Sequence, residues 1–137
     1  MIKEDYVSFE IAKLLKEKGF VGESEIGDRC GFYEQNKEYP NQINLVYDDL
    51  NNSELEWNEC LRFTHQMAMK WLREVHRIEI HIALSELNAD NSRKYMFDIF
   101  SSDINRGFDS IQEYGFNSYE EACEAAIKYV LENLIKK

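Results

Sequence analysis

The chain has 137 residues, of which 44% are hydrophobic and 31% charged, and its formal net charge at pH 7 is −10. This length and composition predict one domain over residues 1–137, with a core large enough to fold without disulfides or metals. The acidic balance excludes general binding to duplex nucleic acid or to an anionic membrane, because both require a basic surface.

The three cysteines, Cys30, Cys60 and Cys123, are widely spaced and form no CxxC pair. This pattern predicts neither a disulfide framework nor a zinc site, and it is typical of a reducing cytoplasm. The N-terminal sequence "MIKEDYVSFE" has acidic residues where a signal peptide needs an apolar run, and no apolar stretch approaches the length of a membrane span. We therefore expect a soluble cytoplasmic protein.

Charge is unevenly distributed along the chain. Residues 19–61 contain ten acidic and two basic residues, whereas residues 62–78 contain four basic residues and one acidic residue. Two oppositely charged segments therefore follow each other directly, and each is a candidate binding surface.

The first predicted helix spans Ser8–Lys18. The sequence "SFEIAKLLKEKGF" has helical apolar spacing, Ser8 is a suitable N-cap, and Gly19 a suitable stop. The acidic residues 20–61 have little helical period. Within them, "GFYEQNKEY" predicts a short strand that runs into a turn, and "QINLVY" a second strand, so a small hairpin is expected.

The second predicted helix follows Thr64, a suitable N-cap, and leads directly into a strand. Helical spacing places five apolar residues on one face of the helix, namely Met67, Ala68, Trp71, Leu72 and Val75. In "RIEIHIALS" the period changes to two, which places Ile78, Ile80, Ile82 and Leu84 on one face of a strand.

A polar turn, "ELNADNSR", separates this strand from "KYMFDIFS", which also alternates, so the two strands predict an antiparallel hairpin. Gly107 and Gly115 then indicate a loop. Ser118 and Glu121 form a capping box for a last helix of roughly 17 residues. The order α, weak β, α, β, β, α predicts an α+β domain in which a hairpin or small sheet packs against three helices.

Motifs for catalysis, metals and cofactors are missing from the sequence. His65 and His76 are about 16 Å apart along a helix, too far to share a metal. The EF-hand spacing that starts at Asp49 places Glu54 where glycine is required and Cys60 where glutamate is required. No GxSxG, GxGxxG or P-loop motif occurs. We therefore expect a non-enzymatic protein with no cofactor, no metal site and no catalytic residue.

The most specific local feature is a basic set formed by Arg62, Lys70, Arg73 and Arg77. The last three have the spacing of one helix face, which is a candidate surface for an acidic partner or for nucleic acid. Glu74 lies four residues after Lys70, so an ordinary solvated helix face is the alternative interpretation.

A second hypothesis is a small ligand-binding or hydrolytic domain with a pocket near Glu79, His81 and Tyr95. Glu79 and His81 are two residues apart on a predicted strand and thus share a face, where the carboxylate could orient the imidazole. An ordinary surface pair on the sheet is the alternative.

Three stretches resemble a group of small uncharacterised proteins from gut Bacteroidetes, their phages and their prophages. They are "YVSFEIAKLLKEKGF", "THQMAMKWLREVHRIEIHI", with its "KWLREVH" core, and "FNSYEEACEAAIKYVLENLI", and together they cover a little over a third of the chain. The resemblance implies a phage-related protein of a bacterial host cell. The group has no established activity, so no catalytic residue carries over.

These observations favour an accessory protein that interacts with another protein, with a host protein as the expected partner. Its more specific form is an acidic surface that occupies the nucleic-acid site of a host protein, because residues 19–61 carry a net charge of −8. The sequence predicts no particular oligomeric state.

Overall fold

The structure is a computed structural model that describes residues 5–20, 31–47, 55–101 and 110–135. The chain divides into two compact units, Met1–Thr64 with Ile135–Lys137, and His65–Leu134. The described residues form three helices and two antiparallel sheets of three strands each. The predicted α+β class is therefore confirmed.

The first unit begins with helix α1, Phe9–Glu17. Its amphipathic sequence buries Ile11, Ala12 and Leu15, and Ser8 Oγ accepts a hydrogen bond from the Ile11 N–H at the N-terminus. Gly19 follows the helix with a φ of +97°, which glycine adopts without a steric penalty. The first predicted helix is confirmed to within one residue at each end.

The sheet of the first unit contains β1 (Phe32–Gln35), β2 (Ile43–Val46) and β3 (Glu59–Leu61) in the order β2-β1-β3. The predicted hairpin is confirmed as β1 and β2. Strand β3 was not predicted, because three residues are too few to show a period of two. It pairs with β1 so that Glu59 lies directly opposite Glu34.

The second unit has the order α2 (His65–His76), β4 (Ile78–Leu87), β5 (Arg93–Ser101), β6 (Ser110–Phe116) and α3 (Tyr119–Asn133). The strands are antiparallel in the order β4-β5-β6. Helix α3 packs on all three strands, and α2 packs on β4 and α3. The predicted hairpin of β4 and β5 is confirmed, and both helices cover the sheet.

Strand β6 corrects the prediction of a loop punctuated by Gly107 and Gly115. Apart from half-buried Ile111 and Phe116, its residues are exposed, so its sequence lacks the apolar alternation that identifies a strand. Gly115, with a φ of +88°, lies inside the strand, near an irregularity in its pairing with β5. Gly107 lies outside the described residues.

The buried face of α2 also differs from the prediction. The helix buries His65, Ala68, Met69 and Leu72, whereas Val75 is 61% exposed. Met67 and Trp71 are half-buried. The buried face of α2 is therefore shifted from the expected one and includes His65.

Helix α3 confirms the predicted capping box. Ser118 Oγ accepts a hydrogen bond from the Glu121 N–H at 3.1 Å, and Glu121 Oε2 accepts one from the Asn117 N–H at 3.0 Å. The helix has 15 residues rather than roughly 17. Its buried positions are Ala122, Cys123, Ala126, Ile127, Val130 and Leu131.

We predict that Gly31→Ala destabilises the protein more than Gly19→Ala. Both glycines have positive φ, at which a side chain costs about 1–2 kcal/mol. A Cβ at Gly31 would also lie 2.8 Å from the carbonyl oxygen of Val46, whereas a Cβ at Gly19 would have no atom within 4 Å among the described residues. Urea unfolding of both variants measures the difference, and equal losses would contradict this account.

Candidate functional site

An open, polar cleft lies in the first unit, where the chain leaves β1 and turns toward β2. It has a volume of about 430 Å³ and is lined by residues 34–38 together with Glu56, Asn58 and Glu59. We call it the acidic cleft, because four of these residues are glutamates and only one, Lys37, is basic.

One wall of the acidic cleft is the turn at residues 56–59, which internal hydrogen bonds hold in place. The Glu59 N–H donates to the Glu56 carbonyl at 3.0 Å, and the Glu56 N–H donates to Glu59 Oε1 at 2.9 Å. From α1, Lys16 Nζ donates to the carbonyl oxygens of Glu56 and Glu59, both at 2.6 Å. The ammonium group therefore fixes the turn without bonding to a carboxylate of the cleft.

Asn58 joins this turn to the end of β1. The Gln35 N–H donates to the Asn58 carbonyl at 2.9 Å, and Asn58 Nδ2 donates to the Gln35 carbonyl at 2.8 Å. The residue is only 6% exposed, yet its Oδ1 accepts no hydrogen bond from the described residues. A buried acceptor without a donor is unfavourable, so this atom lowers the stability of the turn.

The opposite wall is the turn from β1 to β2. Asn36 Oδ1 accepts hydrogen bonds from the N–H groups of Glu38 and Tyr39 at 2.8 and 2.9 Å, the typical pattern of an Asx turn. Lys37 Nζ lies 3.1 Å from Glu56 Oε2, and both side chains are exposed, so this ion pair contributes little to stability.

The electrostatics of the cleft favour a cation. Glu34 and Glu59 are directly opposite each other on neighbouring strands, where two like charges are destabilising. Glu34 and Glu38 form no ion pair with a described residue. The described residues contain no group of three or more His, Cys, Asp or Glu side chains that could hold a metal ion. The excess of glutamates over basic residues in the lining therefore suits a positively charged group.

The net charge of residues 19–61 indicated this region, but no sequence motif indicated which residues line the cleft. The first half of the EF-hand spacing from Asp49 to Cys60, positions 49–54, lies outside the described residues. The cleft depends instead on the pairing of β1 with the short β3 and on the buried Asn58. An asparagine in a polar loop carries no signal that it will be buried.

The structure does not bring the four predicted basic residues together within one unit. Lys70, Arg73 and Arg77 are exposed on α2 or directly after it, in the second unit. Arg62 belongs to the first unit, where its guanidinium group lies 3.8 Å from the centre of the Tyr6 ring and Nη2 donates to the Tyr47 hydroxyl at 3.3 Å. Arg62 is thus engaged with two tyrosines.

Glu79, His81 and Tyr95 do not converge on one site. His81 pairs with Asp98 across the sheet, whereas Tyr95 pairs with Leu84, three residues along β4 from His81. Because side chains alternate along a strand, Tyr95 lies on the opposite face of the sheet from Glu79 and His81. His81 Nε2 is 3.9 Å from Glu79 Oε2, and both side chains are about half exposed or more. The pair is a surface contact.

The second unit contains a histidine–glutamate pair that the sequence did not predict. His65 Nε2 lies 2.9 Å from Glu124 Oε1, and the histidine side chain is only 6% exposed. The pair joins the start of α2 to α3 within the second unit. No pattern in either helix signals it, because the two residues are 59 positions apart.

We predict that His65→Ala and Glu124→Ala destabilise the protein non-additively. Removing either member breaks the hydrogen bond between them, at a cost of about 2 kcal/mol for a hydrogen bond to a charged group. The double variant should lose less stability than the sum of the two single losses. Thermal or urea unfolding of all four proteins measures the coupling, and additive losses would show that the pair contributes nothing.

We also predict that Cys60 resists alkylation in the folded protein. Burial raises the pKa of the Cys60 thiol to about 12, against the lowering influence of Lys16 and Lys13. A pKa raised by about three units lowers the thiolate fraction by about 1,000-fold, and the thiolate is the nucleophile. Labelling with iodoacetamide at pH 8, followed by peptide mapping, should show slow modification without urea and fast modification with it.

The same shift predicts a pH dependence of stability. The folded state holds the Cys60 proton more tightly than the unfolded state, so this contribution is complete below about pH 9 and is lost as the pH rises toward about 12. A Cys60→Ser variant should show a smaller alkaline loss of stability than the unmodified protein. Equal alkaline losses would contradict the assignment to Cys60.

Two general features complete the description of the chain. No helix among the described residues is long and apolar enough to cross a membrane. Comparisons of the chain with family models, with curated proteins and with solved structures find no match. The acidic cleft is therefore the candidate functional site of the chain.

Proposed function

We propose that the chain is a phage- or prophage-related accessory protein that acts by binding in the cytoplasm of a bacterial host. In this proposal, the acidic surface that contains the cleft binds to the basic nucleic-acid site of a host protein and occupies it. The observation that carries it is that Glu34 and Glu59 are paired residues on neighbouring strands and line a cleft with a single basic residue.

The energetic argument is one of charge complementarity. Like charges that face each other across two strands destabilise the isolated protein, and a cation between them removes this repulsion. A basic nucleic-acid site presents several lysine or arginine side chains, so it matches both the sign and the spread of the charge. Complementary potentials also accelerate encounter and disfavour partners of the wrong charge.

The side chains that catalysis would use support a binding role. Burial raises the pKa of the Cys60 thiol and so disfavours its nucleophilic form. His81 is exposed on the sheet, on the opposite face from Tyr95. Among the described residues, the acidic cleft is thus a better candidate for a functional site than Cys60 or His81.

The test is binding to a panel of purified bacterial nucleic-acid-binding proteins, measured by biolayer interferometry at two salt concentrations. We expect the unmodified chain to bind at least one of them and duplex DNA to compete with it. The double variant Glu34→Lys/Glu38→Lys should weaken this binding by about tenfold or more, which corresponds to about 1.4 kcal/mol. Higher salt should weaken it as well.

A matched control separates the cleft from the overall charge. The double variant Glu86→Lys/Glu113→Lys changes the net charge by the same amount at exposed positions of the second unit. It should bind within about threefold of the unmodified chain. If no panel member binds, or if both double variants weaken binding equally, the proposed function is wrong.

A further inference from the structure

Strand β4 forms one edge of the sheet in the second unit. It pairs with β5 on one side, and its other side forms no backbone hydrogen bond with a described residue. An edge strand presents a row of backbone donors and acceptors that can pair with a strand of another molecule. The outer edge of β4 is therefore a candidate interaction surface, and it belongs to a different unit from the acidic cleft.

The strand lacks several features that block such pairing. Its sequence contains no proline and no lysine, and its pairing with β5 is regular from Ile78 to Leu84, before an irregularity between Leu84 and Glu86. We call residues 78–84 the regular edge. The opposite edge of the sheet, β6, contains Gly115 at a positive φ near an irregularity, which distorts a strand. Of the two edges, β4 is thus the better template for pairing.

The side chains along the regular edge are accessible as well. Glu79 and His81 are 47% and 62% exposed, and Leu84 is 48% exposed. Leu84 is a large apolar residue that gains from being covered. The accessible side chains and the unpaired backbone therefore lie on the same strand.

The regular edge is self-complementary when two copies pair in antiparallel orientation. A twofold axis through His81 uses all of its residues. Ile80 then lies opposite Ile82 of the second copy, and Ile78 lies opposite Leu84 of the second copy. These four apolar residues share one face of β4, so the apolar faces of the two sheets join without a break.

The other face of the strand avoids charge repulsion in the same register. Glu79 lies opposite Ala83 of the second copy, so no two carboxylates face each other. The two Glu79 residues are about 13 Å apart along the strands. A shift of one residue would place apolar side chains against polar ones, and larger shifts would pair fewer residues of the regular edge.

We propose that the chain forms a homodimer in which the β4 edges of two copies pair in antiparallel orientation about His81. The two sheets then become one continuous sheet. One strand from each copy contributes less than the roughly 800 Å² per partner of a standard interface, so the dimer is weak and its population depends on concentration. This inference goes beyond the proposed function and does not depend on the acidic cleft.

Disulfide cross-linking of the full chain tests the register. His81→Cys lies on the axis, where directly opposite residues are close enough to form a disulfide, so mild oxidation should link two copies. Glu79→Cys alone should not link, because its two copies are about 13 Å apart. A mixture of Glu79→Cys and Ala83→Cys should link, since these two positions lie opposite each other.

The background for the cross-linking variants is Cys30→Ser. The other two cysteines, Cys60 and Cys123, are buried, so the background itself should stay unlinked. Linking of Glu79→Cys alone as efficiently as of His81→Cys would indicate random collision and would refute the inference. No linking of His81→Cys at protein concentrations up to about 1 mM would refute it too.

Sedimentation equilibrium provides a second test through the sign of the charge. Ala83→Glu places a carboxylate opposite Glu79 at two symmetric positions, so it should weaken dimerisation by about fivefold or more, and Ala83→Lys should strengthen it by a similar factor. The matched controls, Gln112→Glu and Gln112→Lys, change the net charge equally at an exposed position of β6 and should have an effect below about twofold. Equal effects at the two positions, or a chain that stays monomeric at about 1 mM, would show that β4 does not pair in this way.

Discussion

The two hydrogen bonds from Lys16 Nζ to the carbonyl oxygens of Glu56 and Glu59 are the constraint on which the acidic cleft depends. They tie α1 to the turn that forms one wall. Because the ammonium group bonds to backbone oxygens, it fixes the position of the glutamates without pairing with their carboxylates. The cleft is thus rigid and still negatively charged, so binding a cation requires little ordering of the turn.

Asn58 connects this constraint to the sheet. Its backbone and side chain both bond to Gln35, which continues the pairing of β1 into the turn that precedes the first residue of β3. The position of this wall of the cleft therefore depends on Asn58 as well as on Lys16.

The sequence predicted the elements with strong periodicity and missed those that depend on distant contacts. Ser8, Ser118 and Glu121 identified the ends of two helices correctly, because capping is local. Strands β3 and β6 were missed, since one is very short and the other has few apolar residues. The helical period of α2 placed Val75 on the buried face, whereas in the structure Val75 is exposed and His65 and Met69 are buried. The acidic segment was identified from charge alone, and the pairing of Glu34 with Glu59 depends on contacts between strands that no local pattern encodes.

Strand β2 gives the acidic cleft a second consequence. Among the described residues, β2 pairs only with β1, and Ile43 and Leu45 are exposed on it. An edge strand with exposed apolar side chains tends to pair with the edge of another molecule and to aggregate. The glutamates of the neighbouring turn repel a second copy of the same chain, since both copies carry the same charge. The negative charge that suits a cationic ligand thus also opposes edge-to-edge pairing of two copies through β2, and a cation bound in the cleft would weaken this repulsion.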